Sequence, residues 1–248
     1  MDIDAIKSVY FVGAGGIGMS ALVRYFLSKG MNVAGYDRTP SELTEKLIKE
    51  GAQIHYDDNV NLIPSIFHDI HTTLIVFTPA IPENHTELAY FRTNGFTIQK
   101  RAQVLGMLTQ TGKGLCVAGT HGKTTTTAMI AEIFIKAGLN PTVHVGGNVV
   151  NLKGNLVVGN NNFFITEACE YKNSFKYISS DTCVVTNIEP DHMDCYSSFS
   201  ELENAFINFI NKAKCCVINS GYKATKKVKT KGLLLLNSAL GFEVKNIK

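Results

Sequence analysis

The sequence predicts an α/β fold made of two successive parallel-sheet units. Three observations carry this reading. Short runs of β-branched and aromatic residues alternate with helix-patterned segments, an order that gives strands joined by crossover helices. A glycine-rich turn separates a strand-like run from a helix-like one near residue 13. A second such junction stands near residue 119, so the strand-turn-helix theme starts twice.

Element by element, the first unit opens on the apolar run Ser8–Val12, passes through glycines, and continues with Ile17, Ala21, Leu22, Tyr25 and Phe26 on one helical face. Asn32–Tyr36 reads as the second strand. Thr39-Pro40-Ser41 then opens a helix in which Ser41 stands three residues before Thr44, a weaker cap than Ser-x-x-Glu. Thr73–Phe77 is a further strand, stopped at Thr78-Pro79 because proline cannot donate to a ladder. Helices are predicted over 83–93 and 102–110. Thr111-Gly112-Lys113-Gly114 reads as a linker, which bounds a first domain at 1–110.

The second unit begins at once, with a strand over 115–118, a glycine loop, and a helix that sets Met129, Ile130, Ile133 and Phe134 on one face. Strands follow over 163–166, 182–186 and 215–219. Between the last two, Leu202, Ala205, Phe206, Phe209 and Ile210 mark an amphipathic helix. This second domain is expected over 111–221. After Gly221 the pattern decays into lysines and a short leucine run, so 222–248 is expected as a Lys-rich tail and the second sheet as incomplete.

Composition narrows the function classes. The chain has 248 residues, 45% hydrophobic and 18% charged, with 21 Gly, 6 Pro and no Trp, which excludes disordered, collagenous and coiled-coil chains. The net charge is +3, but residues 212–231 hold seven lysines and no acid; removing those seven leaves −4 for the rest. No basic body that tracks a phosphate backbone remains, and no nucleic-acid partner is expected. No apolar run approaches the roughly eighteen residues of a membrane span, so no membrane partner is expected either. Asp2 and Asp4 precede the first strand, which is unlike a signal peptide. The six cysteines (116, 169, 183, 195, 215 and 216) show no C-x-x-C or zinc spacing. Reduced, mostly buried thiols and a cytoplasmic location follow.

Two motifs and one set of acids carry chemistry. Gly13-Ala14-Gly15-Gly16-Ile17-Gly18 matches G-x-G-x-x-G between strand and helix. Its glycines allow close approach of a diphosphate, and the helix start offers free N–H groups and a positive dipole end. Asp37, at the end of the second strand, is placed to accept from a ribose hydroxyl. Alone this is the Rossmann-like dinucleotide pattern, with NAD or FAD as its default ligand. Gly119-Thr120-His121-Gly122-Lys123-Thr124-Thr125-Thr126 forms a phosphate loop, departing from G-x-x-x-x-G-K-[ST] because Val117 stands where the first glycine would be. Lys123 would offset phosphate charge, the Thr124 hydroxyl would ligate Mg²⁺, and the loop through Thr125 would cradle ATP. Glu167, Glu170 and the run Asn187-Ile188-Glu189-Pro190-Asp191-His192 follow two later strands, whose ends share the edge of the phosphate loop. Glu167 and His192 are natural metal ligands there, directly or through water.

Taken together these motifs resemble the Mur ligases. The resemblance runs through most of residues 8–219 and adds Thr78-Pro79-Ala80-Ile81-Pro82, Lys100-Arg101-Ala102, Val145-Gly146-Gly147-Asn148, Thr166-Glu167-Ala168-Cys169-Glu170-Tyr171, and Thr186 through Asp194. It implies a Rossmann-like parallel-sheet N-terminal domain that holds a UDP-sugar instead of a nicotinamide, followed by an incomplete P-loop α/β central domain that holds ATP. Gly15, Gly16 and Gly18 would lie against the UDP diphosphate, with Asp37 near the nucleoside. The implied reaction is acyl activation by ATP, and the pattern is most similar to the member that joins L-alanine to UDP-N-acetylmuramate. A relative that recycles cell-wall tripeptide onto the same sugar shares the first domain. The resemblance casts Lys123, Glu167 and His192 as the catalytic set, with Thr124 and Glu167 on Mg²⁺ and His192 beside a second ion. Family members are longer, so this chain is expected to be a poorly active form, its remaining site supplied by a missing C-terminal domain or second chain. A non-catalytic UDP-sugar-binding fragment is the competing expectation, and a nicotinamide-dependent dehydrogenase a distant one. The second loop argues against the dehydrogenase, which has no need of it.

Overall fold

The computed structural model describes residues 5–219, 221–222, 226–230, 232–237 and 241–245. It divides into two compact units, Met1–Val104 and Leu105–Lys248.

The first unit carries β1 (Ser8–Val12), α1 (Ile17–Ser28), β2 (Asn32–Tyr36), α2 (Glu42–Lys49), β3 (Gln53–His55), β4 (Thr73–Phe77), α3 (Thr86–Thr93) and β5 (Thr97–Lys100); α4 (Arg101–Leu108) straddles the division. Its five strands are parallel in the order β3-β2-β1-β4-β5. The chain reverses direction across the sheet at β1, so the crevice beyond β1 and β4 is the topological switch point. All five residues of β1 are buried, as a central strand covered on both faces requires. Tyr10, Phe67, Phe91 and Phe96 form the aromatic heart of the core, with Phe91 5.0 Å from both Tyr10 and Phe96 between ring centroids. Burying each such ring stabilises the unit by roughly 1.5–3 kcal/mol. Ser41 caps α2 in a reciprocal box with Thr44. Along α1, Ala21, Leu22, Tyr25 and Phe26 face inward as expected, but Ile17 is 48% exposed, since burial starts only at Met19.

The second unit carries β6 (Lys113–Ala118), α5 (Lys123–Lys136), β7 (Thr142–Val149), β8 (Gly154–Val157), β9 (Phe163–Glu167), β10 (Thr182–Val185), α6 (Phe199–Ile210), β11 (Cys215–Asn219), β12 (Gly232–Asn237) and β13 (Gly241–Lys245). The sheet order is β13-β12-β11-β10-β6-β9-β7-β8, parallel inside and antiparallel at its two outermost pairs. Two expectations need correction here. The leucine run at 233–236, expected within a Lys-rich tail, is strand: β12 pairs in parallel with β11 and carries the sheet past residue 219. The supposed linker is also partly strand, because Lys113 and Gly114 open β6. Helix α5 is turned from its expected orientation as well. Thr127 and Ala131 are its buried residues, flanked by Ile130 and Phe134, while Met129 and Ile133 are 63% and 65% exposed. Small residues at 127 and 131 let the helix lie close on the sheet, and 129 and 133 fall on its far side.

All six cysteines are free; three (116, 183 and 216) are buried, and burial pushes the Cys116 thiol up to about 12, leaving it inert. Among the described residues no helix is long and apolar enough to cross a membrane.

Candidate functional site

In the first unit the chain leaves β1 through Gly13, which takes φ +93°. A side chain is excluded there, since a Cβ would stand 2.6 Å from Thr78 Cγ2. The turn sets Gly13, Gly15 and Gly16 in the wall of a cavity of about 630 Å³ that Tyr36, Asp37, Asp58, Ile81 and His85 also line. Gly16 begins α1 with no side chain capping the helix, whereas Ser41, His85 and Ser198 cap α2, α3 and α6. No side chain fills this helix start, where the positive end of the dipole receives an anion. Asp37 Oδ2 accepts from Gly15 N at 2.5 Å, so one carboxylate oxygen shapes the turn. Of the remaining residues predicted for this site, Ala14 is buried beneath the turn, and Ile17 and Gly18 open α1. Arg101 lies over Gly18: its guanidinium Nη1 would be 2.8 Å from a Cβ there, which puts a cation beside the turn.

Behind the cavity is a buried polar chain that the sequence did not disclose. Tyr10 Oη lies 2.8 Å from Glu87 Oε2 and 2.7 Å from His55 Nε2. His55 Nδ1 is 2.9 Å from the Asp57 carbonyl, which can only accept, so Nδ1 holds a proton. Burial pushes Glu87 up to about 7 and His55 below its ordinary value, and these shifts favour a neutral pair over an ion pair.

In the second unit β6 ends in the glycine loop. Gly119 takes φ +137°, and a Cβ there would lie 2.0 Å from Thr186 Oγ1. The loop is pinned to the segment after β10. Thr120 N donates to Asn187 O (3.1 Å), His121 N to Asn187 Oδ1 (2.8 Å), Thr186 Oγ1 to His121 O (2.6 Å), and Glu189 N to Thr120 Oγ1 (2.9 Å). The Thr120 and His121 amides are therefore spent on the loop itself. Gly122, at φ +79°, starts α5 without a side-chain cap, and the first-turn amides through Thr125 have no intrahelical partners. Lys123 Nζ sits in the loop on Gly119 O (2.6 Å), Thr120 O (3.1 Å) and Glu170 Oε1 (3.0 Å).

Parallel pairing of β10, β6 and β9 sets their C-terminal ends on one edge, which brings the acids to the loop. Glu167, the last residue of β9, accepts from Gly146 N through Oε1 at 2.9 Å. Glu170 is 1% exposed, and besides Lys123 it has His192 Nε2 at 3.8 Å. His192 holds a left-handed backbone, φ +52°, with its ring 5.1 Å edge-on from Tyr171. Among the described residues no three His, Cys, Asp or Glu side chains gather into a metal cage. The donors that are present still fit Mg²⁺, which is bound through one or two carboxylates plus substrate phosphates and water. Glu167 keeps one oxygen outside its Gly146 bond, Thr124 offers a hydroxyl at the start of α5, and the buried Glu170 Oε2 has no hydrogen-bond partner.

The sequence of residues 8–113 matches the Mur ligase family, catalytic domain, and 117–239 matches the Mur ligase middle domain. The chain belongs to the Mur ligase family. It is 51% identical over 225 residues to the UDP-N-acetylmuramate–L-alanine ligase of Phocaeicola vulgatus, an alignment covering 89% of this chain and 49% of that protein. It is 48% identical over 232 residues to the ligase of the same name from Parabacteroides distasonis, covering 92% and 50%. This Mur ligase chain thus spans about half the length of these curated relatives. Among solved structures, the UDP-N-acetylmuramate–alanine ligase of Thermotoga maritima matches with a TM-score of 0.77 and 28% identity, over 92% of this chain and 54% of that one. The match at 239 also takes the family pattern past residue 221, where the sequence reading saw it decay.

For a Mur ligase the motifs locate both glycine loops but not three residues that the structure sets beside them. Glu170 was visible only as a second acid three residues after Glu167, Asn187 only as a strand-end residue, and His85 belongs to no motif. The contacts that define each come from chain segments far apart in sequence.

Proposed function

We propose that this Mur ligase chain binds a UDP-sugar in its first unit and ATP with Mg²⁺ in its second. The full reaction we assign is ligation of L-alanine to UDP-N-acetylmuramate in the cytoplasm. The observation that carries this is the pair of glycine loops, each opening a helix that no side chain caps, one of them holding a lysine and flanked by acids. The identity to ligases acting on that sugar supports the same reading. A nicotinamide oxidoreductase would use one such loop and leave the other without purpose.

In the reaction the lactyl carboxylate oxygen of the sugar attacks the γ-phosphorus of ATP, the bond to the β-phosphate oxygen breaks, and ADP leaves. The amine of L-alanine then attacks the acyl carbon, the carbon–oxygen bond to phosphate breaks, and phosphate leaves as the nitrogen sheds its proton. Little acid–base work falls to the protein, so the rate comes from holding charge in place. The first-turn amides of α5 receive phosphate oxygens. Lys123 moves its ammonium from the Gly119 and Thr120 carbonyls to the transferring phosphoryl group. Thr124 and Glu167 would hold Mg²⁺, with His192 beside a second ion; the metal supplies neutralisation of phosphate charge. Asn187 and Thr186 keep the loop in shape. Gly13, Gly15 and Gly16 receive the UDP diphosphate.

Calorimetric titration of the 248-residue chain tests this, first with UDP-N-acetylmuramate, then MgATP, then NADH. Binding of the first two and not the third is expected. NADH binding with no UDP-sugar binding would overturn it.

A further inference from the structure

The first-unit cavity contains a histidine that no motif announced and that the turn chemistry does not use. His85 is 3% exposed and lines the cavity. It is also the N-cap of α3: its Nδ1 accepts from Leu88 N at 3.4 Å. Burial pushes its pKa below the ordinary histidine value, so at neutral pH the ring carries one proton. An Asp58 oxygen lies 3.2 Å from Nδ1 and would draw that proton. Asp58 also accepts through Oδ2 from Thr86 N at 2.7 Å and through Oδ1 from Glu87 N at 3.0 Å. Nδ1 thus faces both the Leu88 amide and the Asp58 carboxylate, and Nε2 is the ring atom left for a ligand. That atom is buried and has no hydrogen-bond partner. A buried polar atom left unmatched is costly, and a ligand partner removes the cost.

Its place in the cavity says which part of a ligand it meets. His85 stands edge-on to Tyr36, 4.5 Å between ring centroids, and Tyr36 directly precedes Asp37 at the end of β2. In a fold of this type a diphosphate on the turn after β1 directs its nucleoside toward the acid at the end of β2. His85 is therefore at the nucleoside end, away from the sugar that reacts.

We propose that His85 is a specificity-determining residue for the nucleoside of the bound UDP-sugar, its Nε2 hydrogen-bonding a polar group of the uracil or the ribose. This rests on the UDP-sugar reading of the first unit. The imidazole has two separable duties, a cap from Nδ1 and a ligand contact from Nε2. Asparagine keeps the first and lacks the second, because its Oδ1 is a good cap acceptor but its side chain is too short to reach the Nε2 position.

The test is calorimetry of wild type, His85→Asn and His85→Ser with UDP-N-acetylmuramate, UDP and MgATP, with thermal midpoints recorded for each variant. Both substitutions preserve a capping side chain, so the midpoints should stay close to wild type. Affinity for UDP and for the UDP-sugar should fall together by about tenfold, about 1.4 kcal/mol, with MgATP affinity unchanged. If wild type binds UDP and both folded variants bind it equally well, the inference fails and the UDP-sugar reading stands. If the loss appears with the UDP-sugar but not with UDP, the contact is not to the nucleoside and the inference fails. If folded wild type binds neither, the reading beneath it fails too.

Discussion

Replacing Lys123 with methionine removes the one side-chain hydrogen bond to the Glu170 carboxylate among the described residues and leaves an acid 1% exposed. At 3.0 Å the attraction within the pair amounts to about 5 kcal/mol with an effective dielectric constant of about 20. Desolvation cancels much of that, so the pair itself adds little to stability. Breaking it from one side is different, because the carboxylate stays buried with His192 Nε2 no nearer than 3.8 Å. Lys123→Met should destabilise the second unit by about 3–5 kcal/mol. Glu170→Gln should cost less, about 1–3 kcal/mol, since Lys123 keeps the Gly119 and Thr120 carbonyls and is 15% exposed. The double variant removes the stranded charge and should be more stable than Lys123→Met alone, with a coupling energy of about 2 kcal/mol. Urea unfolding followed by hydrogen exchange at α5 and β6 reads the second unit separately. Costs that simply add, with coupling below about 0.5 kcal/mol, would refute the view that Glu170 is a buried charge held in place by Lys123.

Two other predictions concern the buried acid of the first unit and the phosphate loop. Glu87 titrates near 7 when folded and near 4.3 when unfolded. The folded unit therefore holds a proton that the unfolded chain has released, and this stabilisation, complete below about pH 4, is lost as pH rises toward 7. His55 and His85, pushed down by burial, contribute with the opposite sign, losing stability as pH falls below about 6.5. Both persist in Glu87→Gln, so urea midpoints at pH 5.5 and 7.5 should show that variant gaining on wild type by roughly 2 kcal/mol at the higher pH; a constant gap would contradict the neutral-acid assignment. Gly119→Ala places a Cβ 2.0 Å from Thr186 Oγ1 at a φ of +137°, so the loop must shift. Calorimetry should find MgATP affinity lowered at least about tenfold, about 1.4 kcal/mol, with UDP-sugar affinity intact; unchanged MgATP affinity would show that the loop does not receive the phosphates.

What could be read from the chain follows from where each element sits. The bounds of β1, β2 and β4 coincide with their apolar runs because strands covered on both faces are apolar almost throughout. Gln53–His55 and Thr97–Lys100 are edge strands, short and half exposed, and carry no such signal. Thr142–Val149 hid because Gly146-Gly147 reads as loop, although the Gly146 amide is what fixes Glu167. Met129 and Ile133 misled because apolar side chains were assumed to mark the buried face, whereas close helix-to-sheet packing selected Thr127 and Ala131. At the site, the glycine loops are legible since backbone approach to phosphate demands those residues locally. Glu170, Asn187 and His85 are not, since their contacts with Lys123, His121 and Tyr36 span 47, 66 and 49 residues of sequence.

The central claim is that the two glycine loops receive two different ligands, and ligand-dependent amide hydrogen exchange tests it most directly. UDP-N-acetylmuramate should protect residues 13–18 and leave 122–126 unchanged, and MgATP should do the reverse. Protection of 13–18 by MgATP, or none at 122–126, would contradict the account.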